Sequence, residues 1–207
     1  MTSSISPGSD PKGAVNQVFV FPCSFAQRRL WFLHQLDPSS FAYNITAPQQ
    51  ISGPLDSAVL KRSLNEVVQR HESLRTTFRS VQGEPVQVIA PSQTLDLEII
   101  DLSSRLAAEQ EEETNRLAVR EAQQEFDLVQ GPLMRAILLR RSEHDHVLLL
   151  NMHHIISDGW SLSILMREVS IIYDAFSAGR PSPLPQLPIQ YPDFSEWQRK
   201  WLEGGIR

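Results

Sequence analysis

Two adjacent histidines, His153 and His154, followed by Asp158 and Gly159, combine residue types and spacing that suit chemistry. An apolar run over 147–151 precedes them and predicts a buried strand. Side chains alternate across a strand, so the two histidines are expected to point to opposite faces. Histidine accepts and donates protons near neutral pH. The pattern therefore indicates acid–base chemistry at the end of a strand, with one histidine structural and the other chemical.

The residues after the histidines are expected to shape a turn. Asp158 would tie down a cationic partner or the turn backbone, and Gly159 allows backbone geometry that other residues resist. A helix predicted over 160–178 would aim free N–H groups at the same spot, which suits a developing negative charge. No metal site is expected, because one ion cannot easily take two histidines on opposite faces of a strand.

The elements that must position these residues are strands and helices in mixed order. Apolar periodicity and capping residues predict strands over 15–21, 45–51, 76–81, 85–89, 95–102, 133–140 and 146–153, and helices over 25–36, 57–71, 107–126, 160–178 and 189–202. This order favours an α/β fold, an α+β sandwich. Residues 1–14 are expected to be a disordered lead-in.

Several polar residues outside this stretch receive structural interpretations. The single cysteine, Cys23, is expected to be a small buried residue rather than a nucleophile. Gln27 and Arg29, on the first predicted helix, are assigned to a solvated face. His144 and His146 are expected to be exposed near a hairpin turn.

Four segments resemble the condensation domains of non-ribosomal peptide synthetases. Residues 153–159 (HHIISDG) are similar to the His-His-x-x-x-Asp-Gly signature, and residues 24–33 (SFAQRRLWFL) to the first motif of that family. Residues 70–78 (RHESLRTTF) and 191–197 (YPDFSEW) resemble the second and fourth motifs. The four motifs occur in the family order, so the resemblance covers nearly the whole chain.

The resemblance implies a chloramphenicol acetyltransferase-like fold, of which residues 15–207 would form the N-terminal subdomain. The C-terminal subdomain, with the other wall of the substrate tunnel, would be absent. An isolated subdomain is therefore expected to be inactive or weakly active.

The implied activity is amide bond formation between two pantetheine thioesters, a donor acyl or peptidyl group and an aminoacyl acceptor. His154 matches the catalytic position, with His153 and Gly159 in the same catalytic set. Gly159 is the candidate backbone donor to the oxyanion. Proton abstraction, orientation of the amine and stabilisation of the charged intermediate are roles for His154 that the sequence does not distinguish.

Asp158, Arg75 and Arg70 are interpreted as structural residues of the active site. Asp158 is expected to pair with Arg75, or failing that with Arg70, and so to fix the loop that carries His154. Removal of either partner would then leave a poorly solvated charge and cost several kcal/mol, in the range of about 3–5 kcal/mol.

The resemblance implies no cofactor, because the thioesters bring their own activation. Expected partners are acyl or peptidyl carrier proteins, the C-terminal subdomain and downstream synthetase domains, with acyl-CoA as the other donor. Since the sequence starts at Met1, a starter-type domain that N-acylates the first amino acid is one expectation, and chain elongation is the other. An epimerisation-type relative and a non-catalytic recruitment module that presents the aromatic residues of 191–201 are the remaining alternatives.

Composition excludes several other classes of protein. The formal net charge is −5 and the pI about 5.7, which gives no support for nucleic-acid or anionic-membrane binding. No apolar run approaches the roughly 18 residues of a membrane-spanning helix, and the N-terminus lacks the pattern of a signal peptide. A cytoplasmic location is therefore expected.

Overall fold

The computed structural model describes residues 18–204, and this part of the chain contains seven strands and five helices. A short 3-10 turn, Glu72–Arg75, precedes β3. The strands are β1 (Phe19–Pro22), β2 (Asn44–Ser52), β3 (Thr76–Val81), β4 (Glu84–Ile89), β5 (Leu97–Asp101), β6 (Met134–Arg140) and β7 (Asp145–His153); the helices are α1 (Phe25–Leu36), α2 (Ser57–Arg70), α3 (Ala107–Gln123), α4 (Gly159–Ser177) and α5 (Tyr191–Glu203).

A four-stranded sheet in the order β2-β7-β6-β5 forms the centre of the molecule. Only the β5–β6 pair is parallel among its three strand pairs. Leu148, Leu150 and Met152 of β7 join the core that includes α2 and α4, whereas Val147 and Leu149 join a second core with α3. Because both faces are covered, β7 is a nearly continuous apolar run, as the sequence predicted.

The second sheet is antiparallel, in the order β1-β4-β3, and packs beside α5. Its hairpin turns at Gln82 and Gly83, which both have positive φ (53° and 86°). Two such residues in succession are the signature of a type I′ turn, whose twist matches that of the strands. The predicted hairpin over 76–89 is therefore confirmed.

Capping residues set the predicted starts of α1 and α2. Ser24 Oγ accepts the Gln27 N–H, and the Gln27 side chain accepts the Ser24 N–H, a complete capping box. Asp56 Oδ1 accepts the N–H groups of Ala58 and Val59 at 2.8 and 3.1 Å. These caps satisfy helix N–H groups that have no partner within the helix.

Gln27 corrects the prediction of a solvated face, because it is buried. Its Nε2 donates to Gln87 Oε1 on β4 at 3.0 Å, and Gln87 Nε2 reaches Ser195 Oγ on α5 at 3.2 Å. The Ser24 and Tyr191 hydroxyls are 3.0 Å apart. A buried polar network thus joins α1, β4 and α5, which explains a glutamine in the first turn of α1.

Other elements differ from prediction mainly at their ends. Helix α3 ends at Gln123 rather than at Phe126, and Phe126 turns into the core. His146 was expected to be exposed and is buried, because it pairs with Ile51 on one side and Arg140 on the other. The predicted lead-in over 1–14 and the first residues of the predicted strand over 15–21 lie outside the described residues.

Candidate active site

The end of β7 delivers the two histidines to different environments. His153 is the last residue of the strand and is 2% exposed. His154 follows it, and its side chain is exposed. The backbone N–H of His154 donates to Tyr43 O at 2.8 Å, which extends the ladder between β2 and β7 by one residue. The two histidines therefore differ in burial, and their predicted roles, one structural and one chemical, stay predictions.

His153 sits in an aromatic cage. Its ring centroid lies 6.2 Å from Phe126, 6.3 Å from His34 and 6.4 Å from Tyr43. Burial, with smaller contributions from His34 and His154, lowers the pKa of His153 to about 4. The ring is therefore neutral at physiological pH.

The tautomer of His153 follows from its hydrogen bond. The Ile155 N–H points at His153 Nδ1 at 3.1 Å, and a backbone N–H can only donate. Nδ1 is therefore the acceptor, and the single ring proton of the neutral form lies on Nε2. Neutral His153 thereby holds the backbone of Ile155, the residue that follows His154.

His154 lines a pocket of about 380 Å³ to which all four motif segments contribute. Arg29 comes from α1, Ser73 from the turn after α2, and Tyr191 from the start of α5, while His154 and Asp158 lie between β7 and α4. Segments far apart in sequence thus converge on one histidine. Arg29, assigned only to a solvated face from the sequence, lies at this pocket.

An apolar pocket of about 360 Å³ adjoins the first. The two share Ser73, Ile156, Ser157, Ser161 and Tyr191 in their walls. The second pocket adds apolar side chains from α4 and from the connector before α5, namely Ile164, Leu165, Leu187 and Ile189. Together they offer room for a substrate with a polar reacting group and an apolar portion.

The expectation that Asp158 pairs with an arginine is corrected by the structure, in which Asp158 caps α4. Its Oδ1 accepts both the N–H and the hydroxyl of Ser161, at 2.8 and 2.6 Å. These bonds, with a smaller contribution from His154, lower the pKa of the Asp158 carboxyl. Asp158 still fixes the start of α4 beside His154, but through backbone capping.

Arg75 and Arg70 have partners other than Asp158. Arg75 donates to Ala90 O and lies 3.3 Å from the Glu72 carboxylate. Arg70 Nε lies 3.0 Å from Glu168 Oε2 on α4, and another of its nitrogens donates to Pro185 O. The predicted Asp158–Arg75 pair and its Arg70 alternative are therefore wrong. Arg75 thus binds the backbone just after β4, and Arg70 joins α2 to α4.

Glu168 is a buried carboxylate that the sequence analysis missed. Its Oε2 lies 2.7 Å from His71 Nε2 as well as 3.0 Å from Arg70. The signal was present, because Glu168 falls on the apolar face of α4 between Leu165 and Val169, where a charge needs a partner. The Arg-His pair of the second motif thus joins α2 to α4.

Gly159 occupies the first turn of α4 with an ordinary helical backbone, which corrects the expectation of unusual geometry. Its φ angle is not positive, and a Cβ built on it meets nothing within 4 Å. Neither backbone strain nor packing within residues 18–204 requires a glycine here. Gly159 itself is exposed at the start of α4.

Metal and thiol chemistry gain no support from the described residues. Within 18–204, no group of three or more His, Cys, Asp or Glu side chains could hold a metal ion. Cys23 is buried, and burial raises the pKa of its thiol to about 12. In the same part of the chain, no helix is long and apolar enough to cross a bilayer.

The chain belongs to the condensation domain family, whose sequence model matches residues 18–205. It is 52% identical over 181 residues to chondramide synthase cmdD of Chondromyces crocatus, covering 87% of this chain and 5% of that protein. It is 45% identical over 183 residues to malpinin synthetase of Mortierella alpina, covering 88% and 2%. The chain thus spans only a small part of these relatives.

Solved structures support the fold. The starter condensation domain of rhizomide synthetase RzmA matches with a TM-score of 0.80 at 24% identity, covering 89% of this chain and 44% of that one. The X-domain from teicoplanin biosynthesis matches with 0.78 at 30% identity, covering 88% and 38%. The first condensation domain of the CDA synthetase matches with 0.75 at 27% identity, covering 80% and 42%. The α+β fold is therefore that of a chloramphenicol acetyltransferase-like condensation domain, as the motifs implied.

Proposed function

We propose that this chain is the half of a condensation domain that carries the catalytic histidine, and that it takes part in amide bond formation between thioester-bound substrates. The observation that supports this best is the convergence of four separate motif segments around the exposed side chain of His154. A scaffold needs no such convergence on an accessible histidine.

The chemistry assigned to the site is aminolysis of a thioester. The lone pair of the acceptor amine forms the C–N bond, and the carbonyl oxygen takes up negative charge. When the tetrahedral intermediate collapses, the C–S bond breaks and the thiolate leaves. His154 accepts a hydrogen bond or the proton from the attacking nitrogen, and that proton can then pass to the thiolate. General-base assistance of this kind is worth about 10²–10⁴-fold.

The residues around His154 have supporting roles in this proposal. His153 is neutral and holds the backbone at Ile155, so it fixes the direction of its neighbour. Asp158 fixes the first turn of α4. The N–H of Gly159, an exposed residue at the start of α4, is the proposed donor to the developing oxyanion. No cofactor is required, because the thioesters are already activated.

The donor and the partners belong to the proposal as well. The acceptor is an aminoacyl group on a carrier protein, and the donor is an acyl or peptidyl group on a second carrier or an acyl-CoA. The choice between starter and elongation activity therefore falls to the assay.

The assay uses the natural polypeptide that contains these 207 residues. An aminoacyl-loaded carrier protein is the acceptor, and acyl-CoA, acyl-carrier and peptidyl-carrier donors are offered separately, with products read by mass spectrometry. Product from acyl-CoA that disappears in His154→Ala identifies a starter domain. Product only from a peptidyl carrier identifies elongation. If no donor gives a His154-dependent product, the proposed activity is wrong.

A recruitment function is the second candidate, and one surface favours it. Phe194, Trp197 and Trp201 form a half-exposed aromatic row on α5, with the two indoles stacked at 6.0 Å. The teicoplanin X-domain, of similar fold, forms a complex with OxyB. The intact site around His154 makes catalysis the better supported function. If the protein binds a partner through α5 and forms no amide, recruitment becomes the better supported function.

A further inference from the structure

The C-terminal end of α3 is held by side chains from three neighbouring strands, one of which, β7, ends at His153. The last carbonyl groups of a helix lack partners within the helix. Asn44 of β2 donates to two of the carbonyls in residues 121–125 at 2.8 and 2.9 Å, and Asn151 of β7 donates to another. Arg135 of β6 donates to the carbonyls of Gln124 and Glu125 at 2.9 and 3.1 Å. The helix end is therefore bound to β7, which ends at His153, and to the two strands that flank it.

Arg135 does more than bind these carbonyls. Its guanidinium carbon lies 3.8 Å from the centre of the Phe126 ring, the geometry of a cation–π contact. Its Nε also lies 3.4 Å from the buried carboxylate of Glu121. Phe126 in turn meets His153 in an edge arrangement at 6.2 Å. A continuous row of contacts thus runs from Glu121 through Arg135 and Phe126 to His153.

We propose that Arg135 is a positioning residue for the histidine pair. Its guanidinium holds the end of α3 and covers Phe126, so that the Phe126 ring stays packed against His153. His153 can then keep its hydrogen bond to the Ile155 N–H and direct His154 into the pocket. The inference rests on the proposed role of His154.

The surroundings of His153 add a pH dependence. His34 of α1 and Tyr43 before β2 face its ring along with Phe126, His154 follows it in the chain, and Asp127 acts on His34. Burial by these groups holds the pKa of His153 at about 4, well below the ordinary value. Protonation would remove the Nδ1 acceptor for Ile155 and place a positive charge beside His154. Loss of Phe126 packing admits water, raises this pKa and moves the acid limb of the rate profile upward in pH.

The test compares Arg135→Met with Arg140→Met in the natural polypeptide that contains this chain. Arg140 is a matched control, because it lies on the same strand, pairs with a carboxylate, Asp101, and sits opposite His146 at the far end of β7. Arg135→Met is expected to lower kcat about 10- to 100-fold with little change in KM, since small misplacements of reacting groups have effects of that size. Its acid limb should shift upward, whereas Arg140→Met should leave both readouts unchanged.

A conservative variant separates positioning from folding. Arg135→Lys keeps the charge and part of the carbonyl contacts, and it should recover part of the lost kcat and of the pH shift. It also replaces Arg135→Met if the latter does not accumulate as folded protein. A folded Arg135 variant with unchanged kcat and an unchanged acid limb overturns the inference. If His154→Ala is also fully active, the proposed function fails instead, so the two failures are distinct.

Discussion

The Nδ1 atom of His153 accepts the backbone N–H of Ile155 at 3.1 Å, a bond that spans the intervening His154. The first histidine of the pair thereby becomes part of the support for the second. His153 is buried and neutral, whereas His154 is exposed to the pocket. Two adjacent residues of one type thus have different tasks because β7 ends between a packed face and an open one.

The stability of the protein should fall as the pH is lowered from 6.5 to about 4, in part because of His153. Its pKa is about 4 in the folded state and near 6.5 in the unfolded chain. Between these pH values the unfolded state binds a proton at His153 and the folded state does not. The free energy of unfolding therefore falls by up to about 1.4 kcal/mol for each pH unit. Above pH 6.5 this loss is absent.

Urea unfolding at several pH values measures this slope, with His153→Gln beside His144→Gln. His144 is exposed, so His144→Gln is the control for replacing a histidine by glutamine outside the core. His146 is buried with a pKa lowered by desolvation, and it should retain part of the slope in the His153 variant. An identical slope in wild type and His153→Gln contradicts the buried neutral state.

Loss of the Asp158 side chain should destabilise the protein only moderately. Asp158 caps α4 and pairs with no buried arginine, so Asp158→Ala is expected to cost about 0.5–2 kcal/mol, the range for N-cap residues. Thermal unfolding measures the effect, and Asp158→Ser should restore most of it because serine caps well. A loss of about 4 kcal/mol would point to the buried ion pair after all.

Replacement of Gly159 should separate stability from turnover. A Cβ at this position meets nothing within 4 Å, and alanine favours helix by about 1 kcal/mol over glycine. Gly159→Ala should therefore keep or raise the melting temperature. It should lower kcat, because the methyl group adds bulk at the exposed start of α4, where the proposed oxyanion donor lies.

Ser57→Ala, in the first turn of α2, is the control for a change of helix propensity alone. The kcat of Ser57→Ala should equal that of the wild type within the error of the measurement. A Gly159→Ala enzyme with unaltered kcat would remove Gly159 from the catalytic set.

Glu168 should contribute strongly to stability. Its carboxylate is buried between Arg70 and His71, and Glu168→Gln leaves the Arg70 charge without its partner. Breaking a buried pair in this way costs about 3–5 kcal/mol. Glu196→Gln removes an exposed partner of Lys200 and should cost less than about 1 kcal/mol. Similar losses for the two variants in urea unfolding would show that the Arg70–Glu168 pair is not effectively buried.

The sequence predicted most of the fold because its signals are local. The apolar run of β7, the Ser24 and Asp56 caps and the Gln82-Gly83 turn each depend on neighbouring residues. The motif resemblance also located His154, although its role stays a prediction. Side-chain partners were harder, since they depend on which elements meet in space.

The arginine partners illustrate that limit. Arg70 and Asp158 could pair on sequence grounds, but Glu168 is on the face of α4 turned toward α2, and Asp158 is at its capping end. Gln27 and His146 were misplaced on the surface for the same reason. No local pattern reveals that Gln87 or a second neighbouring strand will cover them.

The single-turnover rate of amide formation in His154→Ala tests the central claim most directly. The matched control is His144→Ala, which removes an exposed histidine just before the start of β7. We expect His154→Ala to retain the wild-type melting temperature and to lose about 10²–10⁴-fold in rate. The control should keep both. A folded His154→Ala enzyme that forms amide at the wild-type rate would contradict the assignment of His154 as the catalytic residue.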